Sequence, residues 1–365
     1  MKLRIAILAS VAFTTAAIGA PRLAPAPGAQ VTTAALPLHV GGRVVQRDGD
    51  AVRQWPGTYF EATFRGSAAL LKVGTGDVRL HVLIDGVTVD DLVKPAPGLY
   101  RVDGLAPGRH IVRVEVASES QSSPTQFGGI YPADGGRALP PPSPRARQIE
   151  FIGDSHTVGY GNTATKRDCT EGEVWQTTDT SQGIAGLLGR QYDADYAVNA
   201  ISGRGIVRNY DGFAADTLPI AYPFALFDHS ASATPAGWHP QVIVIALGTN
   251  DFSTPLKAGE PWSDRAALDA AYVTRYAAFV RDLRRANPDA QIVLWATELV
   301  DGEILREAGK VVASLRSTGD RRVGLVPVTG LAFSGCHAHP SLADDKRIAA
   351  AIDTYLAAQP TVWRR

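Results

Sequence analysis

Scarcity narrows the reading before any motif does. Only two cysteines and one methionine occur in 365 residues, so a single disulfide is the most the chain can form within itself. Its 36 lysines and arginines balance 36 aspartates and glutamates, and without an excess of positive charge the footprint of a nucleic-acid-binding protein is missing. No internal apolar run reaches the ~20 residues a membrane span needs, and no repeat or long block of like charge recurs. What remains is the composition of a soluble globular protein, 45% hydrophobic and 20% charged, at a length that suggests two domains.

The amino terminus departs from this pattern. Met1-Lys2-Leu3-Arg4 is basic, Ile5 to Ala20 is apolar and closes on small residues, and a Pro/Ala-rich stretch follows. Residues 1–29 therefore read as a secretory signal and linker, too short in its apolar part for a stable anchor. The expectation is an exported protein, periplasmic or secreted, free of the membrane after cleavage and in a compartment where a disulfide can form.

Residues 38–131 show short alternating strands at near-regular spacing, broken by turns such as Arg65-Gly66, Asp85-Gly86 and Pro107-Gly108. This predicts a β-sandwich. Alternation at Ile111, Arg113 and Glu115 predicts a sheet with one face in water. His39, His81 and His110 sit at strand positions and read as structural. With no nucleophile–base pair between Leu38 and Ala117, the sandwich is expected to give shape, and sugar contacts at most, but no catalytic group. Residues 132–147, rich in Pro and Gly, read as an interdomain linker unable to hold a ladder.

From 148 to 365 the period changes. Apolar strands at 148–152, 195–201, 241–247, 291–297 and 323–328 alternate with helices at 182–191, 262–286, 302–315 and 343–358, and a polar loop is expected over 162–180. That pattern predicts an α/β domain with a doubly wound parallel sheet covered on both faces.

Four stretches fall at strand carboxyl ends or in the loops beyond them, where open parallel sheets place their chemistry. They are Gly153-Asp154-Ser155, Ser202-Gly203-Arg204-Gly205, Leu247-Gly248-Thr249-Asn250-Asp251 and Cys336-His337-Ala338-His339-Pro340-Ser341. Each has an ordinary reading, as turn glycines, an Asx turn or a surface cap. Together they supply what acyl transfer requires. A serine hydroxyl needs a base to take its proton, a role open to His339 toward Ser155. The tetrahedral oxyanion needs preorganised donors, which the N–H groups of Ser155 and Gly203 and the Asn250 side chain offer. Tyr160, Trp175, Trp238 and Trp262 lie near these motifs in sequence and are candidate sugar platforms; Trp238 and Trp262 read equally well as packing. A working site also brings the Cys169 loop near Cys336, so these two either bond or remain buried thiols.

Gly153-Asp154-Ser155 with Thr157 and Gly159-Tyr160-Gly161-Asn162, SGRG, LGTND and CxxHPS resemble the four blocks of the SGNH (GDSL-type) hydrolases, over about residues 148–358. Gly42-Arg43, Trp55-Pro56-Gly57, Ile84-Asp85-Gly86 and Pro107-Gly108-Arg109-His110 extend the resemblance to carbohydrate esterase family 2. It implies a small jelly-roll domain ahead of the SGNH domain. It also implies a serine esterase that removes O-acetyl groups from xylan- or mannan-type polysaccharides or oligosaccharides, with no metal and no cofactor; a monomer is expected. By this resemblance the nucleophile falls on Ser155, the oxyanion donors on Gly203 and Asn250, and the base on His339. Where many SGNH enzymes carry Asp three residues before the base, this chain has Cys336. The expectation is thus a Ser155–His339 dyad with the imidazole held by a backbone carbonyl of residues 333–337, and Asp251, Asp344 and Asp345 in other roles. Two rivals are a short-chain lipase or thioesterase on the same catalytic set, and a glycan-binding protein with a spent site.

Overall fold

The computed structural model describes residues 20–231, 237–359 and 361–363; the expected signal lies outside them, apart from its last residue. Twelve strands build the first half: β1 (Arg22–Pro25), β2 (His39–Gly41), β3 (Val45–Arg47), β4 (Asp50–Arg53), β5 (Tyr59–Gly66), β6 (Ala69–Val73), β7 (Arg79–Ile84), β8 (Val87–Val93), β9 (Gly98–Asp103), β10 (Gly108–Val116), β11 (Thr125–Pro132) and β12 (Arg137–Ala138). They form two antiparallel sheets, ordered β1-β9-β6-β11-β4-β3 and β12-β5-β10-β7-β8, with β2 also on β5. Phe60, Phe64, Leu71, Val82, Val112, Val114 and Ile130 fill the space between them.

Three expectations change here. Residues 22–25 of the presumed linker form β1, which extends the sheet edge beside β9; an edge is where a proline-containing strand is tolerated. Within the connector, Arg137 and Ala138 pair with β5. Nor is the polar face of β10 wet. Arg113 lies over the Tyr59 ring at 3.7 Å and bonds Glu61 at 2.6 Å, against Tyr196 of the second domain. Alternation identifies the apolar face of a strand but not what covers the other.

The second half holds β13 (Arg147–Gly153), β14 (Ala194–Ala200), β15 (Val242–Ala246), β16 (Gln291–Thr297) and β17 (Val323–Val328), all parallel, in the order β14-β13-β15-β16-β17. Its helices are α1 (Ser155–Val158), α2 (Glu171–Thr177), α3 (Ile184–Gln191), α4 (Leu218–Ala221), α5 (Thr249–Phe252), α6 (Arg265–Ala286), α7 (Glu303–Ser317) and α8 (Leu342–Ala357). Ile243 and Ile245 of β15 face α6 and α7, whereas Val242 and Val244 face the α3 and α8 side. Two covered faces explain the continuous apolar runs of β15 and β16. Helix α6 starts at Arg265 rather than 262, because the Asp264 side chain caps it by accepting from Ala267 N. The loop expected over 162–180 contains α2, which opens on a capping box of Thr170 and Glu173.

The two halves interlock. Trp55 is fully buried among the α6–α7 core residues, and its indole N–H donates to the Phe224 carbonyl at 2.9 Å. Gly57 sits at φ +65° where a Cβ would meet Val198 at 2.8 Å, so the turn between Trp55 and β5 has to carry glycine. His39 and Tyr59 bond Asp195, and His81 bonds Asp179 at 2.8 Å. The histidines of the sandwich serve as structural links, two of them across the domain boundary.

Candidate active site

The order of the parallel sheet reverses at β13, and such a switch point opens a crevice at the strand carboxyl ends. Ser155 stands there. Gly153 ends β13 where a Cβ would meet Thr157 Oγ1 at 2.0 Å and the Ala246 carbonyl at 2.9 Å, so nothing larger than glycine fits. Asp154 caps the turn by accepting from His156 N, and the next residue, Ser155, opens α1.

His339 Nε2 lies 2.9 Å from Ser155 Oγ. Its Nδ1 faces two carbonyls, Cys336 O at 3.0 Å and His337 O at 3.2 Å. Carbonyls only accept, so the proton sits on Nδ1 and Nε2 is free to accept from the serine hydroxyl. Burial pulls the His339 pKa down to about 4, against the two carbonyls, which raise it. The imidazole is therefore neutral at ordinary pH. None of the three acids weighed as orienters bonds it. Asp251 accepts from Ile206, Val207 and Arg208 N–H and so shapes the loop after Gly203. Asp344 accepts from Ala332, Phe333 and Ser341. The third, Asp345, accepts from Asn162 Nδ2 at 2.9 Å.

On the oxyanion side, Gly203 adopts φ +82°, and neither its N–H nor that of Ser155 has an acceptor among the described residues. Asn250 is already engaged, donating to the Arg204 carbonyl at 2.9 Å and to Asp154 Oδ2 at 3.2 Å. To stabilise an oxyanion it must share or exchange one of these, and the longer bond is the weaker hold. Burial, and then the nearby Asp251 charge, raise the Asp154 pKa to about 7.

The segment that carries His339 is unusual. His337 (φ 51°) and Ala338 (φ 56°) are both left-handed, a conformation costing roughly 1–2 kcal/mol per residue for side chains of this kind. Its surroundings hold it. A disulfide joins Cys336 to Cys169 across 167 positions of sequence. His337 N donates to Arg167 O, His337 Nε2 to Cys169 O, and Gly335 N to His339 O.

Two of the four aromatic candidates are at the site. The Tyr160 ring centroid lies 4.2 Å from that of His339, and its hydroxyl is 3.0 Å from His337 Nδ1. Trp175 and Tyr160 line a groove of about 310 Å³ together with Glu119, Gln121 and Glu171. The other two are elsewhere. Trp238 lies toward the amino ends of the strands, its indole N–H 3.5 Å from Glu150, in a cavity with Arg43 and Phe279. Trp262 packs, partly buried, on the apolar cluster of α6 and α7. Among the described residues, neither contacts Ser155 or His339. Sequence reasoning missed Tyr210 and Phe213, which are 51% and 42% exposed. Tyr210 N donates to the Gly203 carbonyl, and the Phe213 ring lies 3.2 Å from where a Gly203 Cβ would be. Two aromatics in the polar loop directly after SGRG were the available signal. Glu119, which accepts from Ser202 N at 2.8 Å, gave none.

Residues 40–142 match the carbohydrate esterase 2 N-terminal family, and residues 151–355 match the GDSL-like lipase/acylhydrolase family. An acetylxylan esterase/glucomannan deacetylase of Cellvibrio japonicus is 42% identical over 338 residues, spanning 91% of this chain and 94% of that protein. The cellulase/esterase CelE of Acetivibrio thermocellus is 30% identical over 308 residues, 81% of this chain and 36% of that larger protein. Among solved structures, a carbohydrate esterase whose active site displays divergent catalytic and non-catalytic binding functions superposes with a TM-score of 0.85 at 40% identity, covering 90% of this chain and 100% of that one. A family two carbohydrate esterase from Clostridium thermocellum, in complex with cellohexaose, gives 0.79 at 26% identity over 89% of this chain and 100% of that one.

Proposed function

This chain belongs to the carbohydrate esterase 2 family, a carboxylic ester hydrolase with a GDSL-like domain, and from that premise we propose that it removes acetyl groups from the hydroxyls of xylan- or glucomannan-type polysaccharides. The observation that carries the reading is the 2.9 Å contact between Ser155 Oγ and His339 Nε2, with Nδ1 held by carbonyls. His339 takes the hydroxyl proton as Ser155 attacks the acetyl carbonyl. The N–H groups of Ser155 and Gly203, joined by Asn250, receive the oxyanion. The imidazolium then protonates the departing sugar oxygen, leaving an acetyl-enzyme, and a water activated by the same histidine releases acetate.

The base works as half of a dyad, with backbone carbonyls in place of a carboxylate. Tyr160 and Trp175 on one side, and Tyr210 and Phe213 on the other, offer apolar ring faces on which a sugar can stack. The basic, then apolar, amino-terminal pattern and the Cys169–Cys336 disulfide both fit export of a monomeric enzyme to an oxidising compartment. Acetate release should be fastest on acetylated xylan or glucomannan, and turnover of p-nitrophenyl esters should fall as the acyl chain lengthens past acetyl. Rates that rise with acyl length would point instead to the lipase or thioesterase reading.

A further inference from the structure

The sandwich meets the Ser202–Gly203 segment through the loop of residues 117–124, after β10. The loop is fixed at several points. Thr180 N donates to the Ala117 carbonyl at 3.0 Å, Arg79 N to Ser118 Oγ at 2.9 Å, and Gln54 Nε2 to the Gln121 carbonyl at 3.1 Å. From this base two side chains cross to the other domain and meet the same residue. Glu119 Oε1 accepts from Ser202 N–H at 2.8 Å, and Gln121 Nε2 donates to the Ser202 carbonyl at 3.2 Å.

The second contact bears directly on the oxyanion hole. The Ser202 carbonyl and the Gly203 N–H belong to one peptide unit. That unit is planar and trans, so its C=O and N–H point in opposite directions. Fixing the carbonyl toward Gln121 therefore fixes the Gly203 N–H away from the sandwich. Glu119 holds the preceding peptide unit by its N–H, so the two planes leading into Gly203 are both set by the sandwich. Gly203 needs this support. At φ +82° it lies in a region open to glycine, and glycine has no side chain to restrict its own rotation. A donor that must meet charge as it develops is effective only if already oriented. Holding Ser202 comes at a cost, since burial raises the Glu119 pKa against the pull of the Ser202 N–H bond.

We propose that Glu119 and Gln121 of the amino-terminal domain are positioning residues for the oxyanion hole, clamping Ser202 so that the Gly203 N–H is aimed before substrate arrives. The sandwich is then half of the active site and not only a wall beside it. This inference rests on the serine esterase reading, and the test separates the two.

The full-length enzyme and the variants Glu119→Ala, Gln121→Ala and Glu119→Gln are assayed on p-nitrophenyl acetate, and their affinity for an alkyl boronic acid, which takes on a tetrahedral anionic form at the serine, is measured alongside. Each alanine variant should lose on the order of tenfold in kcat, less than the ~10²–10³ of deleting a donor outright, with KM nearly unchanged. Boronate affinity should fall by a similar factor, as transition-state binding requires. Glu119→Gln keeps an acceptor oxygen and should recover at least a third of the activity lost in Glu119→Ala. Gln121 is an exposed side chain, so Gln121→Ala keeps the test open should Glu119→Ala fail to fold. If the unmodified protein is inert, the esterase reading falls. If it is active and Gln121→Ala matches it in kcat and boronate affinity, the clamp is refuted. A Glu119→Gln variant as impaired as Glu119→Ala would likewise refute the role given to its acceptor oxygen.

Discussion

Acidifying the assay probes the base without any mutation. Burial pulls the His339 pKa to about 4, and only neutral carbonyls oppose it; a free imidazole titrates near 6.5. Protonated His339 cannot take the Ser155 proton, so activity is present above the folded-state pKa and lost as pH falls through it. At pH 5 a base with pKa 4 is about nine-tenths neutral, whereas one with pKa 6.5 is about 3% neutral. The gap is roughly thirtyfold in kcat/KM and needs no fine measurement. Acetate release from a small acetyl ester between pH 3 and 8 reads it without interference from a titrating chromophore. Other groups titrate in the same range, since Asp154 is raised to about 7 and Asp251 to about 6 by burial. Following the His339 ring resonances by NMR, assigned with His339→Gln, separates the base from those carboxyls. A His339 that titrates at 6 or above would refute the argument and show that a carboxylate or solvent reaches the ring. Stability carries the same sign. His339 in the folded state holds its proton less tightly than in the unfolded chain, so its contribution is present above about 6.5 and is lost as pH falls toward 4.

Ser155→Ala and His339→Ala should each abolish most turnover with the thermal transition intact, and Asn250→Ala should cost on the order of 10²–10³ in kcat, the loss typical of one oxyanion donor; near-normal acetate release by Ser155→Ala would remove the nucleophile assignment. Reducing the Cys169–Cys336 bridge, or replacing both residues by Ser, opens a loop of 167 residues, worth up to about 5 kcal/mol in the chain-entropy model. Because Cys336 also carries the carbonyl that holds His339 Nδ1, kcat should fall with the melting temperature; a lower melting temperature at full kcat would separate the bridge from the base. His81 is buried, which lowers its pKa, yet its bonds to Asp179 and Asp91 raise it to about 9. That domain link is fully present below pH 6.5 and lost as pH rises through 9, so wild type should lose roughly 2–3 kcal/mol relative to His81→Ala between pH 6 and 10, read by denaturant unfolding. Tyr210→Ala and Phe213→Ala should raise KM on acetylated polysaccharide several-fold while leaving p-nitrophenyl acetate turnover within about threefold, since sugar–aromatic contacts act on binding of the remote part of the substrate; equal losses on both substrates would make the two rings structural.

The parts of this molecule that could be read in advance share a physical reason. Strands β15 and β16 are buried on both faces, so Val242–Ala246 and Ile292–Ala296 read as continuous apolar runs, while β13 carries the same burial with Glu150 satisfied by Asn199 and Tyr222. Ser155, Gly203, Asn250 and His339 are of types that acyl transfer demands, placed where parallel strands end. The elements that could not be read depend on a partner distant in the chain. Residues 22–25 become a strand only because β9 offers an open edge. The Arg113 face of β10 looks solvent-ready until Tyr59 and Tyr196 are seen against it. Distance along the sequence cannot tell the amino-end side of the sheet, where Trp238 lies beside Glu150, from the rim, nor an open ring from one packed as Trp262 is.

The loop that carries His339 and the contacts of the sandwich meet the same physical need. In the dyad proposed here no carboxylate holds the imidazole by charge and by geometry, so geometry has to come from elsewhere. Here it comes from backbone. The left-handed pair His337 and Ala338 turns two carbonyls onto Nδ1, and a local sequence preference would not keep them there. What keeps them is chiefly non-local, the bond from Cys169 and the Arg167 carbonyl on His337 N, with Asp344 nearby in sequence holding the N–H groups of Ala332 and Phe333. Opposite, the oxyanion peptide is held by Glu119 and Gln121 from another domain. On the proposed reading, the groups that hold His339 and receive the oxyanion are thus largely backbone groups, and each set has an anchor more than 80 residues away in sequence. A motif can announce the serine and the histidine, but it has no means of announcing the supports that make a carbonyl and an amide into catalytic parts.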